Sequence, residues 1–284
     1  MIEVKNLFHK YSENSDYAVK NVSFEIPKGE IFGFLGPSGA GKSTVQKILI
    51  GILKKQKGSI VIDGINSEDL KKDFFEKIGV SFELPNMYSK LSGYENLKYY
   101  GGLFKKKTKD PLKLLESVGL LQDKDKKASD YSKGMKQRLI FARSLINDPN
   151  ILFLDEPLSG LDPSTAKKLK EIIINEKNNG KTIFLTTHNM FVADELCDKV
   201  AFINNGEIVA MDTPKNLKIK YGNKSVKIEY HEENKNKEII LFLEKTEDKE
   251  KIKKIMDTKE ILTIHSGEAT LEEIFIQITG RGLS

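Results

Sequence analysis

Residues 36–44, Gly36-Pro37-Ser38-Gly39-Ala40-Gly41-Lys42-Ser43-Thr44, have the types and spacing of a loop that wraps backbone N–H groups around nucleotide phosphates. Its glycines let the backbone approach an anion closely. Lys42 is placed to reach the β- and γ-phosphates, and Ser43 to offer its hydroxyl to Mg2+. A second set, Asp155-Glu156, ends the apolar run Ile151-Leu152-Phe153-Leu154. In an open α/β sheet ligands sit beyond the carboxyl ends of the strands, so both carboxylates are expected at the phosphates. Asp155 suits the acidic partner of Mg2+, and Glu156 suits the polarisation of an attacking water. The plainer alternative is a pair of surface acids at a strand end. A third set, Thr186-Thr187-His188, closes the next apolar strand, and its imidazole is either a donor to a γ-phosphate or an ordinary solvated or core histidine. A fourth, Ser132-Lys133-Gly134-Met135, opens a helix and forms either a second anion site or an ordinary cap.

The elements that position these groups are legible in the hydropathy pattern. Glu30 to Leu35 reads as a strand leading into the loop, and Val45, Ile48, Leu49 and Ile52 repeat at helical spacing after it. The loop therefore opens a helix, where unpaired N–H groups and the dipole favour an anion. Ile2-Glu3-Val4 and Val22 to Ile26 alternate as antiparallel strands, and Gly58 to Gly64 reads as another strand. Helical patterns dominate residues 67–130, with Gly119 a C-cap after Pro111 to Val118. Alternation then resumes with helix 134–147, strand 151–155, helix 163–178, strand 182–187, helix 190–197 and strand 200–203. Beyond about residue 214 the pattern changes. Short strands, Val226 to Tyr230 and Ile239 to Leu243, flank lysine- and glutamate-rich segments, and Leu271, Ile274, Phe275 and Ile278 form an amphipathic ending before Gly280.

Composition narrows the function classes. The 284 residues allow one large domain and a smaller one. The net charge of +5 is modest, because 46 basic residues face 41 acidic ones. Lysine clusters such as Lys105-Lys106-Lys107 therefore read first as solvated faces, with a nucleic-acid or lipid patch as the alternative. The single Cys197 excludes an internal disulfide and a cysteine-based zinc site. No apolar run reaches the roughly 18 residues of a membrane span, and no signal-peptide core opens the chain.

Together these features resemble the ATP-binding subunit of ABC transporters over roughly residues 1–215. The resemblance implies an α/β fold: a P-loop NTPase core with an antiparallel β subdomain, a helical signature subdomain at about 84–148, and a small α+β C-terminal extension. It implies an ATP-binding domain at 1–214 and a small domain at 215–284. Gly36 to Thr44 resembles Walker A, Ile151 to Glu156 Walker B with its catalytic glutamate, Ser159-Gly160-Leu161-Asp162 the D-loop, and His188 the switch histidine. Tyr131-Ser132-Lys133-Gly134-Met135 is similar to the family signature, and Tyr11 stands where the family stacks an aromatic on adenine, with Tyr17 a weaker candidate. ATP and Mg2+ are the implied cofactors. In such a family the dimer is head-to-tail, so ATP lies between the loop of one subunit and Ser132 and Gly134 of the other, and the D-loop residue Asp162 is a further nucleotide-binding position.

The signature keeps the family's serine and second glycine but departs at Tyr131, Lys133 and Met135, and the segment around Glu83 departs as well. Lys133 replaces a signature glycine, and Glu83, within Ile78 to Pro85, stands where the family places a glutamine that serves Mg2+ and the lytic water. Glutamate would bind the cation more strongly and repel an unscreened γ-phosphate, or it is a tolerated isostere. Similar glutamate loops occur in cassettes linked to peptide-antibiotic export or immunity. The implied function is ATP hydrolysis that powers transport, export rather than import, through a separate membrane permease. The implied location is the cytoplasmic face of the membrane, with a homodimer or paired cassette in the ATP-bound state. The tail Thr270 to Phe275 with Thr279-Gly280-Arg281 resembles the ending of exporter-type cassettes. The rival is an ABC-type ATPase acting on nucleic acid or in regulation. Fewer than fifty residues between Glu83 and the signature leave no room for a long coiled coil, so no nucleic acid is expected.

Overall fold

A computed structural model describes residues 1–84, 86–222, 225–232, 235–280 and 282. Pro85 of the Glu83 segment and Arg281 of the tail motif lie outside the described residues. The chain divides into two compact units, Met1–Met211 and Asp212–Gly282.

The first unit holds, in chain order, β1 (Ile2–His9), β2 (Val19–Ile26), β3 (Ile31–Leu35), α1 (Lys42–Leu49), β4 (Lys57–Ile62), β5 (Ile65–Asn66), α2 (Lys72–Phe75) and β6 (Ile78–Ser81). Then come α3 (Gly93–Gly101), α4 (Pro111–Ser117), α5 (Lys133–Ser144), β7 (Ile151–Asp155), α6 (Pro163–Asn178), β8 (Thr182–Thr187), α7 (Met190–Leu196), β9 (Lys199–Asn204) and β10 (Glu207–Asp212). Two sheets result. The first, in the order β2-β1-β4-β5, is antiparallel. The second runs β10-β9-β3-β8-β7-β6 and is parallel from β9 through β6. Its strands β3, β7 and β8 are buried at every residue, as continuous apolar runs in a covered parallel sheet should be. The antiparallel strands form a sheet of their own rather than an edge of the nucleotide sheet. The core joins the two sheets, with Phe24 stacked on Phe32 at 5.1 Å between ring centres.

Side chains set the helix starts. Ser132, Asp162 and Asn189 cap α5, α6 and α7 through Met135 N–H, Thr165 N–H and Val192 N–H. Helix α1 is shorter than its apolar spacing predicts: it stops at Leu49, Gly51 takes φ 77°, and Ile52 lies exposed beyond the end. The left-handed glycine ends the helix before the last apolar position can join it. Cys197 is buried at the end of α7, where its sulfur packs against Gly33.

The C-terminal end of α5 is held from three directions. A Cβ on Gly79 of β6 would lie 1.9 Å from the Ser144 carbonyl oxygen, so only glycine lets helix and strand approach this closely. The Asn147 amide donates to the carbonyls of Glu76 and Ile78 at 3.2 and 2.9 Å. Lys181 pairs with Asp148 and Glu176 at 2.5 Å each, and Lys109 pairs with the same two carboxylates at 3.2 and 3.1 Å. Arg143 lies over the Tyr100 ring at 4.8 Å and donates to Asn86 O at 2.6 Å, tying α5 to the segment that follows Glu83.

The second unit contains α8 (Pro214–Tyr221), β11 (Ser225–Glu232), β12 (Lys235–Phe242), α9 (Thr246–Thr258), β13 (Glu260–Gly267) and α10 (Leu271–Thr279). Its antiparallel sheet has the order β12-β11-β13, with the buried Ile228 opposite Ile239 and Ile264. Helices α8 and α10 pack together, and α10 opens with a capping box between Thr270 and Glu273.

Candidate active site

The loop between β3 and α1 takes a shape only glycine permits at two points. A Cβ on Gly36 would stand 2.2 Å from Ile203 O, and Gly41, at φ 107°, would meet Ala18 O at 2.5 Å. The loop is thus wedged between β9 and the residue preceding β2. Lys42 is buried, and its ammonium donates to Gly36 O at 2.6 Å and Pro37 O at 2.9 Å, so it holds the loop closed on itself. Burial lowers the pKa of this ammonium, against the pull of Glu156, Asp155 and Glu83. A phosphate taking over from the two carbonyls would relieve that cost by supplying full negative charge.

A cleft of about 410 Å3 opens over this loop, lined by Tyr11, Ala18, Ser38, Gly39, Gly41, Lys42, Ser43, Thr44, Glu83, Asp155, Glu156 and His188. Residues from Tyr11 to His188, far apart in sequence, therefore share one space. Asp155 ends β7, and its carboxylate accepts from the Thr186 hydroxyl and, at 3.5 Å, from the Ser43 hydroxyl. Burial pushes its pKa up, and the hydroxyl bonds oppose that rise. Glu156 follows at φ 45°, a left-handed conformation that costs a non-glycine residue of order 1–3 kcal/mol and persists only where the surroundings fix it. Three donors do so. One carboxylate oxygen accepts from Thr187 Oγ1 at 2.8 Å, and the other from His188 N–H at 2.7 Å, with His188 Nδ1 at 2.6 Å from it. The Gln137 side chain bonds the Glu156 carbonyl at 3.2 Å.

Tyr11 is 62% exposed, and its hydroxyl lies 2.9 Å from Thr44 Oγ1. Tyr17 does not line the cleft; it stands edge-on to Phe8. Pro37 and Ala40 shape the loop from outside the cleft: their carbonyls accept from Lys42 and from Gly206 N–H. Ser132, Gly134 and Asp162 are not among the cleft residues. Ser132 Oγ accepts from Met135 N–H at 3.2 Å, and the position of a Cβ on Gly134 is 3.5 Å from Leu161. Lys133 lies along Gly160. Asp162 accepts from Thr165 N–H at 3.0 Å and from Ser164 at 2.7 Å, bonds that hold its pKa well below the usual carboxylate range. The signature and D-loop thus form a second cluster, apart from the phosphate loop of the same chain. Thr187 and Gln137 escaped the sequence reading as supports of Glu156. The Thr-Thr doublet at the end of β8 is the one signal that pointed to the former.

The donor set fits Mg2+. Ser43 and Asp155 converge, and oxygen is the ligand a hard cation takes. Among the described residues no group of three or more acidic, histidine or cysteine side chains is placed to hold a metal ion. Among the described residues no helix is long and apolar enough to cross a membrane.

The family model "ABC transporter" matches residues 19–159. Over 285 aligned residues the chain is 48% identical to a fluoroquinolones export ATP-binding protein of Mycobacterium tuberculosis, covering 100% of this chain and 95% of that protein. The chain belongs to the ABC transporter ATP-binding proteins. This ABC protein is also 40% identical over 209 residues to a lantibiotic transport ATP-binding protein of Streptococcus pyogenes, covering 74% of this chain and 89% of the relative. Its fold matches a solved ATP-binding subunit of an ABC transporter with TM-score 0.71 and 27% identity, covering 78% of this chain and 93% of that one. A dimeric ATP-binding cassette in a post-hydrolysis state, bound to ADP and Pi, matches with TM-score 0.68 and 29% identity, covering 75% and 98%. The ABC protein is an ATPase subunit of a transport system, and its cofactors are ATP and Mg2+. Cassettes of this kind dimerise and work with membrane permeases.

Proposed function

We propose that this chain powers export of a small antibiotic-like molecule through a separate membrane permease, docked at the cytoplasmic face. The observation that carries the proposal is the 48% identity to a fluoroquinolones export subunit, which runs the whole length of the chain and so includes the 212–282 unit as well as the cassette. Residues 1–214 act as the ATP-binding domain, with 84–148 as its helical subdomain and 215–284 as the small domain. Gly36 to Thr44 hold the phosphates, with Lys42 neutralising the transferring group and Tyr11 supporting adenine. Ser43, Asp155 and Glu83 serve Mg2+. Glu156 orients the lytic water, and His188 moves between Glu156 and the γ-phosphate. The separation of Ser132, Gly134 and Asp162 from the cleft supports a composite site in which these residues of the partner subunit close over the nucleotide. ATP then favours the closed pair and hydrolysis the open one.

The test is Glu156→Gln in the full chain with ATP and Mg2+. The binding groups stay while the water-orienting carboxylate goes, so phosphate release should stop and size-exclusion chromatography should show an ATP-dependent dimer. Near-normal hydrolysis, or a monomer even with its permease supplied, would overturn the proposal. Efflux of fluoroquinolone from cells that co-express the chain and its permease, lost in Glu156→Gln, tests the export direction.

A further inference from the structure

The cleft holds three carboxylates, Glu83, Asp155 and Glu156, against one buried ammonium, Lys42, which all three attract. They are not equivalent. Asp155 is committed to Thr186 and Ser43, and Glu156 to Thr187 and His188. Glu83 is exposed on the cleft wall and makes no hydrogen bond or ion pair among the described residues. Described residues on either side of it are held. Ser81 ends β6, and Asn86 is gripped by Arg143. A carboxylate with free oxygens, facing the space where a polyanionic triphosphate must lie, repels that ligand unless a cation stands between them.

We propose that Glu83 makes nucleotide binding conditional on the divalent cation: it opposes metal-free triphosphate and favours the metal complex, so the chain selects for the cation when nucleotide binds and not only when it is hydrolysed. The proposal rests on the siting of the nucleotide in this cleft, and the experiment separates the two. Binding of a fluorescent ATP analogue to the full chain is titrated with excess Mg2+ and with EDTA. For the wild type, affinity should drop sharply in EDTA. Glu83→Gln keeps size and hydrogen-bonding capacity but loses the charge, and at an exposed position it should leave the fold intact by circular dichroism. It should tighten metal-free binding about tenfold, or about 1.4 kcal/mol, and leave the Mg2+ complex bound equally or more weakly. The ratio of the two dissociation constants then collapses, and Glu83→Asp should restore it in part. An unchanged ratio in Glu83→Gln overturns the proposal. Lys42→Ala should lose affinity in both media; if it binds normally in both, the siting of the nucleotide fails and the proposal falls with it.

Discussion

Thr187→Val tests whether Glu156 depends on the strand beside it. Thr187 is buried at the end of β8, and its hydroxyl donates to Glu156 Oε2 at 2.8 Å while accepting from Asn189 N–H at 3.0 Å. Valine keeps the shape and the β-branch that suits a strand, and removes only the hydroxyl. A hydrogen bond to a charged group contributes about 1.5–3 kcal/mol. The lost bond is one of three that hold Glu156 in its left-handed conformation, so the productive orientation should become less populated by about that energy. At 1.36 kcal/mol per decade, kcat should fall about 10- to 100-fold. The phosphate-binding groups are untouched, so KM should stay within about threefold. Steady-state phosphate release from the folded variant, checked by urea unfolding, gives both constants, and Thr187→Ser should recover most of kcat. Wild-type turnover in Thr187→Val would refute the dependence, and a rise in KM with unchanged kcat would relocate the role of Thr187 to binding.

Two further outcomes concern stability. Gly79→Ala drives a methyl group into the Ser144 carbonyl, at 1.9 Å, and should destabilise the protein by about 3 kcal/mol, read as a drop in urea midpoint. Gly64→Ala differs in kind, since Gly64 sits at φ 80° with nothing within 4 Å of a Cβ, and should cost only about 1–2 kcal/mol from backbone strain. Tyr131 donates its phenol proton to Asp123 O at 2.7 Å, and burial pushes its pKa up to about 12. The unfolded phenol ionises near about 10, so its contribution to stability is complete below that pH and is lost as pH rises through the folded value. Unfolding measured at about pH 9 and about pH 11 should show a decline that is shallower in Tyr131→Phe, and identical slopes would contradict the burial effect.

Much of the parallel core was legible because its residues obey local rules. Ile151 to Leu154 and Ile183 to Leu185 are unbroken apolar runs, and the strand bounds Ile151–Asp155 and Thr182–Thr187 lie close around them. Asp162 before Pro163 and Ser132 before a helical repeat mark their helices by capping chemistry. The second unit was harder to read. Helix α9 has Ile252 and Ile255 facing inward amid lysines and glutamates, too few apolar positions to stand out from a solvated run. Strand β13 is defined by its pairing with β11 rather than by local pattern, whereas α8 does carry a local signal, the Thr213 cap before Pro214. In the site, residue types announced Lys42, Asp155, Glu156 and His188. Lys42 is held by carbonyls of its own loop, but the bonds that orient Asp155, Glu156 and His188 cross between β7, β8, α1 and α5, and no local spacing reveals such partners.

The corner made by Lys109, Asp148, Glu176 and Lys181 also has a mechanical meaning. It anchors the far end of α5, whose opposite end carries Ser132. With 12 residues, α5 is a rod about 18 Å long. A tilt of about 10° about the anchored end would sweep Ser132 through about 3 Å. The window between a good hydrogen bond and a poor one is only about 0.5 Å wide. The same tilt would carry Gln137, about 10 Å from the anchored end, through about 2 Å, so engaging or releasing an anion at the tip would also disturb the bond from Gln137 to the Glu156 carbonyl.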